Sequence, residues 1–478
     1  MRELMRKTMA DQAALVKKGE VSPAELVDAA IAEIERLNPT INAVVIPMFD
    51  LAREAVGRLR GDEPFCGVPM LLKDVLAEYA GAPMTEGSRY LQGYVSPRDS
   101  ELVARFRRAG FIVCGKTNSP EFASKPTTEP ELYGATRNPW DLSRSAGGSS
   151  GGSGAAVAAG MVSVAHANDG GGSTRIPAAA CGLVGLKATR GRNPLGPDYG
   201  DIGGAGLISE HVVTRSVLDN ALMLDVTAGA DPGAPYYPPP PVRPFADEVG
   251  APPRRLRIAW SDEPVLPTPV HEDCRAAVQD IAAVCEELGH QVERAKPQVD
   301  ASRFQEIFTT LWLGMVAWMV RDWEARTGRP PEPDQFERHT WKMLSFDAAR
   351  RPSDYLLAIN DMHRFARQAA PFWDDYDIWL TPTQTQPPVP LGWFDFDPAH
   401  PHQATTRMEE FPRFTAFANI TGQPAISLPL CTTAAGLPIG IQLIGRYADE
   451  ATLFRAAAQL EAARPWASRW PSTAACGT

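Results

Sequence analysis

The chain has 478 residues, of which 44% are hydrophobic and 22% are charged, and its formal net charge is −10. This composition is typical of a globular protein with a large core, and the length predicts about three domains. The acidic balance argues against nucleic acid as a partner. Seven scattered cysteines show no zinc-site or redox spacing and indicate reduced cytosolic thiols, so we expect neither a metal nor another cofactor.

Nothing in the sequence indicates a membrane partner. The N-terminus lacks the apolar stretch of a signal peptide. The longest apolar run, residues 311–320, would cover only about half of a bilayer and ends in two charged residues. We therefore expect a soluble, cytoplasmic protein.

The first helix is indicated by a capping box formed by Ser22 and Glu25, with proline at the first helical position. Apolar residues recur at helical spacing from Leu26 to Leu37, and Pro39 is expected to end this helix. Downstream, short apolar strands alternate with helical segments, which is typical of an α/β sheet. The predicted elements are strands at 42–47, 67–72 and 111–114 and a helix at 101–109.

The second half of the chain contains a proline-rich segment and a tryptophan-rich segment. Nine prolines fall within residues 231–253, which excludes regular structure and predicts a long surface loop. Seven of the eleven tryptophans lie between Trp312 and Trp393. They fit two interpretations, helix packing in a core or an aromatic wall over a bulky apolar substrate.

Two familiar motifs match the residue pattern of the chain, but the secondary structure predicted around them is not the one that each motif requires. Residues 110–117 fit the phosphate-loop pattern, yet they contain a predicted buried strand that follows its helix, so we expect no nucleotide binding. Residues 147–151 fit the nucleophile elbow of α/β-hydrolases, but residues 140–145 before them are predicted to be a polar loop. That alternative would also need one of eight histidines as a base: 166, 211, 271, 290, 339, 363, 400 or 402.

Two serine-bearing glycine clusters give the strongest indication of chemistry. They span residues 145–154 and 168–177, and Ser149 and Ser173 within them are 24 residues apart. Glycine runs allow backbone N–H groups to converge on one point, which is the geometry that stabilises an oxyanion in acyl transfer. Because neither cluster contains a histidine to activate a serine, we expect Lys73, at the end of a predicted strand, to be the base.

These clusters resemble the signature of the amidase signature family. The resemblance extends to segments 67–74, 115–118, 134–139 and 421–429 and covers about residues 20–465. It implies a single large α/β domain with a mixed, mostly parallel twisted β-sheet covered by helices. Within residues 1–478 we expect four parts: N-terminal helices at about 1–65, a signature core at about 66–225, the proline-rich loop at about 231–254 and a variable substrate-shaping region at about 300–410.

The Ser–cis-Ser–Lys triad of the family matches three positions of this chain. The resemblance implies that Ser173 is the nucleophile, that Ser149 is the bridging serine after a cis peptide bond, and that Lys73 is the base. The implied oxyanion hole consists of the backbone N–H groups of Gly170, Gly171, Gly172 and Ser173. Lys73 must be neutral to accept a proton, and burial can supply the roughly 4–5 kcal/mol that a shift of its pKa from about 10.4 to near 7 requires.

The sequence also predicts roles for several residues around the triad. Arg175 either contacts a substrate carboxylate or, in the favoured interpretation, pairs with Asp169 and braces the loop. Ser124 is expected to line the substrate pocket, and Cys181 fits a core position better than a catalytic one. Asn168 stands where the family commonly has threonine, a departure expected to alter loop packing but not the triad.

Segments 127–131, 134–140 and 165–168 look most like 6-aminohexanoate-cyclic-dimer hydrolases and related urethanases. This resemblance implies a stand-alone monomer or homodimer that cleaves small-molecule amides, anilides, nylon-type oligomers or carbamates through an acyl-enzyme. A glutamyl-tRNA amidotransferase A-type subunit is the alternative within the family, and residues 191–200 lack the usual continuation of that subclass. A catalytically silent binding protein is a further alternative, against which the intact triad argues.

Overall fold

The structure, a computed structural model, describes residues 2–200, 204, 206–252 and 254–474. The strands are β1 (Val44–Pro47), β2 (Pro69–Lys73), β3 (Ile112–Thr117), β4 (Arg137–Asn138), β5 (Asp141–Ser145), β6 (Val164–Asp169), β7 (Val184–Lys187), β8 (Ser209–Thr214), β9 (Arg257–Trp260), β10 (Gln291–Arg294), β11 (Ile378–Pro382), β12 (Ala425–Thr432) and β13 (Pro438–Gly445). The helices are α1 (Arg2–Arg6), α2 (Met9–Lys17), α3 (Pro23–Ile41), α4 (Phe49–Val56), α5 (Glu101–Arg108), α6 (Gly151–Ala159), α7 (Arg175–Cys181), α8 (Val217–Thr227), α9 (Glu272–Glu287), α10 (Phe304–Thr327), α11 (Arg338–Ala348), α12 (Pro352–Ala369), α13 (Phe372–Asp375), α14 (Gln403–Glu410), α15 (Thr415–Thr421) and α16 (Glu450–Ala463).

One 11-stranded sheet runs through the molecule in the order β1-β3-β2-β6-β8-β7-β12-β13-β11-β9-β10, and helices pack against it. The predicted single α/β domain with a mixed sheet covered by helices is confirmed. The parallel share is smaller than predicted, because parallel pairing is confined to β3-β2-β6 and β11-β9-β10. The strands between these groups pair antiparallel, in part because a short connection joins β12 and β13 as a hairpin.

Local elements follow the sequence expectations with two corrections. The capping box of Ser22 and Glu25 is present, but α3 continues through Pro39 to Ile41. Pro39 therefore lies in the last turn of α3 and does not end it, and the left-handed Asn42 ends the helix instead. The segment predicted to be a polar loop before the first glycine cluster contains β5, which pairs with β4 in a small ribbon outside the main sheet.

Two other segments have the predicted character. The phosphate-loop pattern lies on β3, a buried strand, which confirms that it is not a flexible loop. The described part of the proline-rich segment is irregular apart from a 3-10 turn at Phe245–Glu248, as expected for a loop. In the described part of the chain, no helix is long and apolar enough to cross a membrane.

The sheet brings the two glycine clusters to the same place. Because β2 and β6 are parallel neighbours, their carboxyl ends meet at one edge of the sheet. Lys73 is the last residue of β2, and Asn168 and Asp169 are the last residues of β6. α6 and α7, which begin in or just after the two clusters, pack against each other beside this edge.

Candidate active site

Lys73 is a completely buried lysine at the end of β2. Its Nζ is 2.6 Å from Oγ of Ser149 and 2.5 Å from Oδ1 of Asn168. Burial lowers the pKa of Lys73 to about 7, although neighbouring carboxylates act in the opposite direction. A lysine in this state can exchange a proton with Ser149 near neutral pH.

Ser149 lies in the first glycine cluster just before α6, and the peptide bond that joins it to Gly148 is cis. The backbone of this cluster packs closely against a neighbouring loop. A Cβ atom at Gly148 would lie 2.4 Å from the backbone nitrogen of Thr127, so only glycine fits. Ser149 is fully buried, and its hydroxyl lies against Lys73.

Ser173 lies on the loop between β6 and α7, where it borders a cavity of about 400 Å³. Its carbonyl accepts the N–H of Ser150 at 3.3 Å, which ties the second cluster to the first. Its hydroxyl makes no hydrogen bond within the described residues, and it is therefore free to meet a molecule in the cavity.

Asp169 shapes the backbone of the second cluster. Its carboxylate accepts the N–H of Gly172 at 2.7 Å, as well as the N–H groups of the two residues after Ser173. The predicted oxyanion hole therefore needs a correction, because the Gly172 N–H is already bonded. The other three predicted donors have no hydrogen-bond partner in the described part of the chain: Gly170, Gly171 and Ser173.

Arg175 holds Asp169 in place. It is fully buried, and its Nε and Nη2 each donate to the carboxylate of Asp169 at 2.9 Å. Burial alone would raise the pKa of Asp169, but Arg175 outweighs this effect and the pKa falls to about 2. Because Arg175 does not line the cavity, the structure does not support the prediction that it contacts substrate, and its contacts are those of a brace.

Asn168 makes a contact that the sequence did not predict. Its Oδ1 accepts a hydrogen bond from Lys73, and its Nδ2 donates to the carbonyl of Val75 at 3.2 Å. The departure from threonine therefore affects the lysine directly, and not only the packing of the loop. The sequence predicted that Lys73 follows a strand, but it did not predict the pairing of β2 with β6 that brings Asn168 to Lys73.

A cavity of about 400 Å³ opens onto Ser173. Gly148 and Gly171 lie beside the serine, and the stacked rings of Phe308 and Trp312, with centroids 5.4 Å apart, cover the glycine loop. Other residues complete the wall: Ser124, Lys125, Pro126, Ile176, Phe304, Gln305, Thr309, Leu313, His339, Lys342, Met343, Phe346, Arg350, Thr405, Met408, Glu409, Pro412, Arg413 and Ala416.

Ser124 is placed where the sequence predicted, on the cavity wall, and its buried Oγ has no hydrogen-bond partner within the described residues. The two interpretations of the tryptophan-rich segment both apply. Trp312 lines the cavity, whereas Trp323 and Trp379 are buried in the core. Cys181 is completely buried and outside the cavity, as expected for a core residue.

The histidine-dependent alternative finds no support in this geometry. His166, the histidine next to Lys73, is bonded to Glu210 and accepts the backbone N–H of Lys73. His339 borders the cavity, but burial and two neighbouring lysines lower its pKa to about 4. Among the described residues, Lys73 is the side chain bonded to Oγ of Ser149. No group of His, Cys, Asp and Glu in the described ranges is arranged to hold a metal ion.

Comparisons with known proteins identify the family to which this chain is similar. The profile of the Amidase family matches residues 25–454. A 6-aminohexanoate-cyclic-dimer hydrolase from Pseudomonas sp. (strain NK87) is 39% identical over 473 residues, which cover 96% of this chain and 95% of that protein. The solved structure of a 6-aminohexanoate cyclic dimer hydrolase with substrate has a TM-score of 0.93 at 38% identity, with 98% of this chain and 99% of that chain covered.

A bacterial aryl acylamidase of the amidase signature family also matches, with a TM-score of 0.87 and 27% identity over 99% of each chain. The family match spans most of the sequence, and the sequence and structural relatives agree with one another. The chain therefore belongs to the amidase signature family and is an amide-hydrolysing enzyme.

Proposed function

We propose that this enzyme cleaves the C–N bond of amides through a relay of Lys73, Ser149 and Ser173. The observation that carries this proposal is the 2.6 Å contact between Nζ of Lys73 and Oγ of Ser149, next to the cavity onto which Ser173 opens. Neutral Lys73 takes the proton of Ser149 while Ser149 takes the proton of Ser173. Oγ of Ser173 then attacks the carbonyl carbon of the substrate.

The intermediate that forms carries a negative charge on the former carbonyl oxygen. Within the described residues the N–H groups of Gly170, Gly171 and Ser173 have no hydrogen-bond partner, and in this mechanism they stabilise the charge. When the C–N bond breaks, the leaving nitrogen receives a proton from Ser149, which Lys73 resupplies. Water then attacks the acyl ester on Ser173 and gives a proton to the same relay. The relay returns this proton to Oγ of Ser173 as the ester bond breaks, and a carboxylic acid is released.

The cavity favours amides with an apolar chain or ring near the scissile bond. Phe308 and Trp312 offer a flat apolar surface beside the oxyanion donors, and the unpaired Oγ of Ser124 offers one polar contact. Relatives are named for a cyclic aminohexanoate dimer and for aryl acylamides. We therefore propose cyclic or linear aminohexanoate oligomers and anilides as substrates, with carbamates as a related class.

The test measures product release by wild type, Ser173→Ala and Ser163→Ala, the last being a control for a buried serine bonded to Gln12. The substrates are cyclic and linear aminohexanoate dimers, an aryl anilide, an aryl carbamate and glutamine. Turnover of one of the first four by wild type and Ser163→Ala, but not by Ser173→Ala, supports the proposal. Turnover of glutamine alone would favour the amidotransferase-subunit alternative, and turnover by Ser173→Ala would contradict the choice of nucleophile.

A further inference from the structure

Asn168 is a polar residue in direct contact with the proposed base, and the mechanism above does not use it. It is almost fully buried at the end of β6, with its Oδ1 2.5 Å from Nζ of Lys73. Its Nδ2 donates to the carbonyl of Val75, two residues beyond Lys73. This second bond fixes the orientation of the amide group, so that the oxygen and not the nitrogen faces the lysine.

The geometry matters because a neutral lysine amine has two N–H donors and one lone pair. The lone pair must point to Ser149 if Lys73 is to accept the proton of that hydroxyl. An amide oxygen can only accept, so it engages one N–H of Lys73 and turns the lone pair away from Asn168. After proton transfer, the same oxygen accepts a stronger, charge-assisted hydrogen bond from the ammonium group.

We propose that Asn168 is a positioning residue that aims the lone pair of Lys73 at Ser149 and stabilises the protonated lysine during the relay. This inference rests on the proposed function. It also assigns a consequence to the departure from threonine at this position: the side chain that contacts the base is an obligate acceptor, whereas a hydroxyl can donate as well as accept.

Lys73 titrates among several other charged groups, which any change at Asn168 leaves in place. Burial favours the neutral amine, and three carboxylates favour the ammonium form: Glu210 on β8, Asp169 on β6 and Glu86 in the segment after β2. His166 accepts the backbone N–H of Lys73 and bonds to Glu210. Asp74 follows Lys73 in the chain, and its Oδ1 lies 3.9 Å from Nζ of the buried Lys116.

The experiment compares the pH dependence of kcat and KM for full-length wild type, Asn168→Leu, Asn168→Asp and Asn168→Thr on the best substrate of the panel. Asn168→Leu removes the acceptor, and we expect kcat to fall by at least about tenfold with little change in KM. Asn168→Asp places a carboxylate beside Nζ and raises the pKa of Lys73, so the rising limb of kcat should move up by about one pH unit or more. Asn168→Thr restores an oxygen and should recover part of the activity.

Asn220, a buried asparagine on α8 that bonds to His211, provides the matched control. Asn220→Leu and Asn220→Asp show how far kcat falls when a buried amide away from Lys73 is lost. They should not shift the pH profile of kcat. Asn168→Asp has the size of the native residue, so it decides the question even if Asn168→Leu does not fold. Wild-type kcat and an unshifted profile in folded Asn168→Asp would overturn the positioning role, whereas turnover by Lys73→Ala would overturn the relay itself.

Discussion

The proposed relay makes the pH response of the enzyme depend on one residue, Lys73. The relay needs its neutral form, and burial lowers its pKa to about 7. Activity should therefore rise with pH through about 7, because the inactive ammonium form is lost, and should level off above about 8. The measurement is kcat/KM from pH 5.5 to 9.5.

Replacement of the same residue tests its role more directly. Lys73→Met keeps the approximate volume of the side chain but cannot accept a proton, so we expect turnover at pH 7.5 to fall by about 10²–10⁴-fold. Lys187 offers a control, since burial also lowers its pKa to about 7, but its Nζ bonds to the carbonyl of Ala188 and not to a serine. Equal losses in Lys73→Met and Lys187→Met would argue against a specific role for Lys73.

Arg175 should be required for folding of the loop and not for recognition of substrate. Arg175→Met leaves the buried carboxylate of Asp169 without its cation, which we expect to lower the free energy of unfolding by about 3–5 kcal/mol. Urea unfolding measures this change. If the variant kept its stability and only raised KM for substrates with a carboxylate, the substrate-binding interpretation would be correct.

At the residue scale, sequence motifs predict the identities of the site residues better than their contacts. Lys73, Ser149 and Ser173 match the family signature, and the structure places Lys73 against Ser149 and places Ser173 on the wall of the cavity. The bond between Asn168 and Lys73 depends on the pairing of β2 with β6, which a single sequence does not specify. The bond from the Gly172 N–H to Asp169 likewise depends on the folded path of the loop.

At the scale of elements, the loop between β6 and α7 requires glycine at position 172. Gly172 has a φ of +138°, and a Cβ there would lie 2.4 Å from Oγ1 of Thr415. Gly172→Ala should displace the loop and lower kcat by at least about tenfold, since oxyanion donors act only when they are well placed. Gly289→Ala is the control, because Gly289 has a φ of +90° with open space around it. Comparable losses of kcat in both variants would contradict this account.

α10 supplies the aromatic wall, and this wall should set specificity. Trp312 and Phe308 lie four residues apart on one face of the helix and contact the glycine loop. Trp312→Ala should raise KM for an aryl anilide several-fold more than for acetamide, because the large substrate loses more apolar contact. Trp318, on the same helix but packed against Tyr199 outside the cavity, is the matched control. Equal changes in KM for the anilide and acetamide in Trp312→Ala would show that the aromatic wall does not determine substrate specificity.

Elements with strong local signals were predicted better than those that depend on partners. The capping box located the start of α3 because it is a contact between residues three apart. The polar β5 was missed because only its pairing with β4 makes it a strand. The antiparallel centre of the sheet was missed because strand order arises from contacts between segments far apart in the sequence, such as β7 with β12.

At the scale of the whole molecule, the fold buries ionisable groups whose pKa values move in opposite directions. Burial lowers the pKa of Lys73 and of Lys187, and it raises the pKa of several buried carboxyl groups. Among the latter, burial and the neighbouring Asp74 raise the pKa of Glu86 to about 8. Stability should therefore depend on pH through such carboxyl groups and activity through Lys73, whose pKa Glu86 also raises.

A substitution of Glu86 tests whether a buried carboxyl group sets the pH dependence of stability. A carboxyl group with a raised pKa in the folded state contributes stability below its usual pKa of 4.5, and this contribution is lost as pH rises through about 8. Gln has the same shape and cannot ionise. The Tm of Glu86→Gln relative to wild type should therefore increase steadily from pH 4.5 to 8 and then level off, as measured by calorimetry. Glu20→Gln, at an exposed position, should follow the wild-type curve. Parallel Tm curves for Glu86→Gln and wild type would mean that Glu86 is already ionised in the folded protein, and the pH dependence of stability would then have to arise from other groups.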